Sequence, residues 1–280
     1  MTIRRLDAGR GAGWITDGLA VFKDQPAPYL TACLLVGLIS SLPLVGLFFS
    51  VLMPVMYGGL LSLLRHQSRG EPTATGQIFD GFQQPGAFAR LLPIVLLNLA
   101  VGMVIVIIFA VTIGVALYPM IRDGQLQQGS DPKAVMAMVM TVLPKFALLF
   151  LILLPIGMFY SWVMMLATPR AMLGNVPGMT AIREAVSAVL ANILPLLVNM
   201  LCLMLLMFVV LLIMMIPFML LNVVQQHSMF LGMLIRIPVM GVFTGGILAL
   251  NCAIMFQAWR EVFGEDADAL PPPPPAAFEA

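Results

Sequence analysis

The chain contains 280 residues, of which 61% are hydrophobic and only 10% are charged, and its formal net charge is +1. Soluble domains carry about 25% charged residues, so a water-soluble fold of this length could not cover so much apolar surface. The near-neutral charge also gives no electrostatic basis for binding nucleic acid. The composition therefore predicts an all-α, polytopic integral membrane protein that is surrounded by the lipid bilayer.

The first apolar segment is predicted to form a helical hairpin. Residues 29–64 contain no charged side chain, and a single helix of that length would measure roughly 54 Å against a hydrocarbon core of about 30 Å. Pro43 and Gly46 lie near its middle, and these residue types break or bend helices. We therefore predict two spans, near 28–45 and 47–64.

Further apolar segments complete a predicted bundle of six transmembrane helices. They lie near residues 91–117, 142–166, 195–220 and 237–259. The uncharged stretch 185–221 is again too long for one crossing, so we divide it near Asn192 and Pro195. The six spans form a single transmembrane domain over residues 1–262. The remaining tail, 263–280, is acidic and rich in proline, and is predicted to be disordered.

A short amphipathic interfacial helix is predicted before each pair of spans, and this order indicates a threefold internal repeat. The apolar faces of the three helices begin near Trp14, Ile78 and Ile182. Such helices lie along a membrane surface with their apolar face at the acyl boundary. The alternative is that each helix is an ordinary cytoplasmic extension of the span that follows it.

The distribution of basic residues predicts the orientation. With six spans, ten of the fourteen Lys and Arg residues lie on one side of the membrane and four on the other. The positive-inside rule places the richer side in the cytoplasm, so both termini are predicted to be cytoplasmic. An alternative with five spans, in which the first two are a single helix, would instead place the C-terminal tail outside the cytoplasm. The ten are Arg4, Arg5, Arg10, Lys23, Arg65, Arg69, Arg90, Arg170, Arg183 and Arg260.

Three asparagines within the spans are the candidate polar interior: Asn98, Asn199 and Asn251. They form either interhelical hydrogen bonds or a weakly polar passage between helices. The spans contain no deep carboxylate or histidine, which argues against an ion-coupled transporter. No nucleotide-binding, zinc-hydrolase or serine-hydrolase motif is present. The sequence thus predicts no catalytic residue, no cofactor and no metal site.

A stripe of small residues is the candidate helix-packing surface. Gly241, Gly245, Ala249 and Ala253 recur every four residues in the last span. Small side chains at this spacing let another helix approach closely. The partner is either a helix of the same chain or a second copy of the chain.

Three groups of residues carry a resemblance to known proteins. They are Gly9-Arg10 with Trp14, Arg69-Gly70-Glu71-Pro72 with Phe79, and Pro169-Arg170 with the predicted helix 181–192. Over roughly residues 5–262 the chain resembles an uncharacterised family of bacterial, mainly proteobacterial, six-helix inner-membrane proteins. It is also similar to the membrane domain that precedes some glycerophosphodiester phosphodiesterases. The resemblance implies an inner-membrane location and assigns no active site.

Two functional hypotheses follow. The first is a non-enzymatic membrane protein that binds or moves a lipid or another hydrophobic small molecule, which the surface helices and the weakly polar interior favour. The second is a structural or assembly partner of another membrane protein, or a homo-oligomer, which the small-residue stripe and the proline-rich tail favour.

Overall fold

The computed structural model describes residues 3–23, 26–122 and 132–264, and these ranges contain helices and no strand. From residue 265 onward, the predicted tail lies outside the described residues. The α-helices are α1 (Arg10–Ala20), α2 (Ala27–Ser40), α3 (Val45–Val51), α4 (Met53–Ser68), α5 (Asp80–Gln83), α6 (Ala87–Arg122), α7 (Pro132–Met172), α8 (Gly178–Ala191), α9 (Ile193–His227) and α10 (Met229–Phe263). A short 3-10 helix, Val21–Lys23, follows α1, and a second one, Thr75–Phe79, precedes α5.

Among the described residues, four helical stretches are long and apolar enough to cross a membrane. They are Ala87–Val115, Phe146–Met172, Ile193–His227 and Met229–Phe263, with mean hydropathies of 3.0, 2.2, 3.1 and 2.0. Each overlaps one of the last four predicted spans. Their length and composition are those of a multi-pass helical membrane protein.

The first predicted pair of spans takes a different form. Helix α2 has 14 residues and α4 has 16, so they rise only about 21 and 24 Å, less than the hydrocarbon core of about 30 Å. Between them α3 is bent from α2 by 118°, and Leu44 at the break has a φ of 62°. The predicted full-length spans 28–45 and 47–64, and with them the count of six, are therefore not confirmed.

Helix α2 packs antiparallel against α10. The Tyr29 hydroxyl donates to the Ala249 carbonyl oxygen at 2.5 Å. A methyl group at Gly37 would lie only 2.3 Å from the Gly241 carbonyl oxygen and 2.5 Å from the Gly245 nitrogen. The two backbones thus touch without intervening side chains, which is the contact that small residues allow in membrane helices.

The chain divides into two compact units, residues 1–95 with 163–280 and residues 96–162. The core of the larger unit includes large side chains with less than 2% exposure, such as Trp14, Tyr29, Leu91 and Leu196. In the smaller unit, α6 and α7 meet through Phe109 and Phe146, whose ring centroids are 6.1 Å apart. Many apolar side chains of this unit are exposed, as expected of helices that face lipid.

The predicted amphipathic helices are present as short helices, but their apolar faces have different surroundings. Trp14 of α1 is fully buried and Ile15 is 9% exposed, so this face packs against protein rather than lipid. By contrast, Phe79 and Phe82 around α5 are 50% and 41% exposed. In α8, Val189 is buried while Leu190 is 59% exposed.

The order of elements follows the predicted three units: α1 before α2–α4, α5 before α6 and α7, and α8 before α9 and α10. The lengths do not repeat, because α2 and α4 have fewer than half the 35 residues of α9 and of α10. A threefold structural repeat is therefore not confirmed.

Candidate functional site

A cavity of about 440 Å³ lies where the end of α2, the end of α9 and the first turns of α10 meet. All of its lining residues belong to the larger unit. The lining residues are Ser40, Ser41, Pro43, Gln225, Met233, Arg236, Ile237, Met240 and Thr244. Its volume falls within the ~300–1,000 Å³ that is usual for small-molecule sites.

The cavity exists because of where two helices end. Helix α2 stops at Ser40, and the segment to Pro43 turns away instead of continuing along α10. Helix α10 begins after Ser228, whose hydroxyl accepts a hydrogen bond from the Leu231 nitrogen at 3.4 Å. Since Gly37 already touches Gly241, the open space begins immediately beyond that contact.

Helices α9 and α10 form the opposite wall and also approach each other closely. A methyl group at Gly232 would lie 2.7 Å from the Cβ atom of Gln225. Farther along, the rings of Phe218 and Phe243 pack edge to face with centroids 6.0 Å apart. These contacts hold Gln225 and the lining residues of α10 on one rigid helix pair.

The wall is mostly apolar, with a few polar groups. Met233, Ile237 and Met240 supply flexible and branched apolar side chains, and Arg236 supplies a cation that is exposed. The Ser41 hydroxyl donates to the Gly37 carbonyl oxygen at 2.7 Å. Segments 26–70 and 185–260, which contain every lining residue, contain no Asp or Glu. The named lining residues therefore carry one positive charge and no negative charge.

The three predicted asparagines do not line this cavity. The Asn199 side chain is 3% exposed and donates to the Gly11 carbonyl oxygen of α1 at 3.0 Å. Asn98, in the smaller unit, accepts a hydrogen bond from the Tyr160 hydroxyl of α7 at 2.9 Å. Asn251 is exposed. Asn98 and Asn199 thus form interhelical hydrogen bonds.

The stripe of small residues is covered by helices of the same chain. Gly241 and Gly245 contact α2, and the Ala249 carbonyl accepts from Tyr29 of α2. Ala253 is fully buried beside Gly18 of α1. The sequence allows either a helix of the same chain or a second copy of the chain as the partner. In the structure, helices of the same chain contact this face.

Two polar networks lie away from the cavity, one at the C-terminal end of α10 and one at the C-terminal end of α7. The sequence pattern alone does not pair their members. Glu261 accepts the Trp14 Nε1–H at 3.0 Å and forms an ion pair with Arg10. Arg10 also pairs with Asp17 at 2.8 Å. The hydrogen bond to Glu261, followed by that to Asp17, raises the pKa of Arg10 above its ordinary value. This network fixes α1 to the end of α10.

The second network surrounds the C-terminal end of α7. Arg65 donates to the Leu173 carbonyl oxygen at 2.8 Å, and Arg90 to that of Ala171 at 3.3 Å. Cations are favourable at the C-terminal end of a helix, where the last carbonyl groups have no hydrogen-bond partner within the helix. Arg170, only 5% exposed, pairs with Glu184 of α8 at 2.6 Å. These contacts tie α4, α6 and α8 to the C-terminal end of α7.

Within the described ranges, no three His, Cys, Asp or Glu side chains gather closely enough to hold a metal ion. No protein-family model matches the chain, and comparison with curated proteins and with solved structures finds no similar protein.

Proposed function

We propose that this chain is a non-enzymatic protein of the bacterial inner membrane that takes a single amphiphilic molecule, a membrane lipid, into the cavity at the tip of α2. The observation that carries this proposal is the mostly apolar cavity with a few polar groups at the end of α2. Such a lining suits a molecule that has both a polar and a greasy part.

The proposed arrangement in the membrane has six passes, of which α2 and α4 are the short ones, and three repeated units. Both termini lie in the cytoplasm. The support is the distribution of basic residues. Four arginines make their contacts at the ends of α7 and α10 that lie away from the cavity: Arg10, Arg65, Arg90 and Arg170. Basic residues are retained on the cytoplasmic side. An alkaline phosphatase fused to the C-terminus should be inactive, and an active fusion would refute this orientation.

The level of the cavity also supports binding of a lipid. The stretch of α10 from Arg236 to Glu261 rises about 38 Å, somewhat more than the hydrocarbon core of about 30 Å. With Glu261 at the cytoplasmic surface, Arg236 and the tip of α2 lie near the opposite headgroup region. A lipid there can place its headgroup at the polar groups and part of a chain against Met240.

The test uses the purified full chain and a photoactivatable phosphatidylcholine. We expect labelled peptides from the segments that line the cavity, and we expect Met240→Trp to reduce labelling severalfold because the indole fills the space. Val242→Trp is the matched control, since Val242 lies two residues away on the same helix and is 59% exposed. Equal labelling of wild type and Met240→Trp would refute the proposed site.

The second hypothesis, an assembly partner of another membrane protein, loses one of its two supports. The small-residue stripe is already covered by α2 and α1. Its other support, the proline-rich tail, lies outside the described residues beyond position 264. No contact of the described residues favours this function over the binding of a lipid.

A further inference from the structure

We infer that the cavity selects amphiphiles whose headgroup carries a net negative charge on a phosphate, namely anionic phospholipids. This inference rests on the proposed function and names its ligand class. It starts from Arg236, the charged residue among those that line the cavity.

The first argument is charge balance. No Asp or Glu occurs in residues 26–70 or 185–260, so the segments that build the cavity supply no carboxylate to Arg236. The acidic residues of the larger unit that form ion pairs, Asp17, Glu71, Glu184 and Glu261, pair with other bases. An anionic ligand would therefore meet no competing carboxylate from these segments and could form charged hydrogen bonds with the guanidinium.

The second argument is the chemistry of the donors. A guanidinium presents N–H groups in a planar fork that matches two phosphate oxygens. Ser40 brings a hydroxyl group from α2, and Gln225 brings an amide from α9, to join the guanidinium of α10. Donors from three helices can surround a tetrahedral phosphate, which has oxygens in several directions.

The third argument is the position of the apolar lining. Ile237 and Met240 follow Arg236 along α10 toward the middle of the bilayer, and Met233 lies on its other side. A phosphate at Arg236 would therefore leave its glycerol and the start of an acyl chain against apolar side chains. A free phosphate ion would leave this apolar part of the cavity unfilled.

The test is native mass spectrometry of the purified full chain with equimolar phosphatidylglycerol and phosphatidylcholine of the same acyl chains. We expect phosphatidylglycerol to be retained preferentially, and Arg236→Gln to lower that preference about tenfold, as expected for one charged hydrogen-bonding group. Arg236→Lys should keep part of it. Arg183→Gln removes an exposed arginine on α8 and should leave the preference unchanged.

The outcomes separate this inference from the proposed function. Retention of both lipids in equal amount, with Met240→Trp still blocking photolabelling, would overturn the charge selection and leave lipid binding intact. Failure to retain any lipid would overturn both. A third arm adds inorganic phosphate alone. Binding of phosphate that depends on Arg236 and excludes the lipid would assign the site to the free anion and overturn the lipid assignment.

Discussion

The contact between α2 and α10 leads to a sharp prediction for Gly37→Ala. The added methyl group would lie 2.3 Å from the Gly241 carbonyl oxygen, 2.5 Å from the Gly245 nitrogen and 2.7 Å from the Gly245 Cα atom. All three are backbone atoms, so no side chain can rotate away and the helices must separate. Overpacking of this kind costs about 1–3 kcal/mol, which corresponds to a fall in Tm on the order of 5 °C.

Gly246→Ala is the matched control for this experiment. Gly246 lies on the partner helix α10, directly after Gly245, and a methyl group there would have nothing within 4 Å. Replacing glycine by alanine inside a helix stabilises it by up to about 1 kcal/mol, so this variant should melt at or slightly above the wild-type temperature. Both variants are to be purified in one detergent and heated while tryptophan fluorescence is recorded. Equal Tm values for the two would refute the close α2–α10 contact.

Two further predictions concern the networks at the other end of the helices. Trp14→Phe keeps a ring in the core but removes the N–H that donates to Glu261. We expect the free energy of unfolding to fall by about 1–3 kcal/mol, which lowers the Tm. An unchanged Tm would contradict the importance of this hydrogen bond. Arg170→Gln leaves Glu184 without its nearly buried partner, and removing one member of such a pair costs about 3–5 kcal/mol. The yield of folded protein on size-exclusion chromatography should fall sharply for Arg170→Gln and stay near wild type for the exposed Arg183→Gln.

Sequence alone predicted the helical class and the last four spans, because continuous apolar length is a direct physical requirement of a bilayer. It also placed the break in the first hairpin at the right residues. Pro43 and its neighbours were expected to interrupt the helix, and Leu44 has a positive φ there. It could not predict that α2 would be only 14 residues long, since hydropathy does not record where a chain turns.

The surroundings of α1 show a different limit. The periodicity predicts one apolar face made of Trp14, Ile15, Gly18, Leu19 and Phe22. The first three are buried, whereas Leu19 is 46% exposed. Amphipathicity cannot distinguish a lipid surface from a protein surface, because both are apolar. The decisive contact, between Gly11 and the backbone of Pro195, joins residues far apart in sequence.

The cavity was missed for a similar reason. Its position depends on the level at which α2 ends beside α10, and that level is fixed by the approach of Gly37 to Gly241. The available signals were Ser40-Ser41 at the helix break and Arg236 inside an apolar stretch. Neither signal predicts a binding site unless the packing of α2 against α10 is already known.

The pairing of α2 with α10 also constrains how the protein is made. Tyr29 and Ala249 are 220 positions apart, so at about 5–20 residues per second the ribosome needs roughly 10–45 s to add the helix against which α2 docks. During that interval a short, glycine-containing segment must wait near the translocon without its permanent neighbour. The first helices to emerge are thus among the last to reach their final contacts, and the quality of insertion depends on completing the last hairpin.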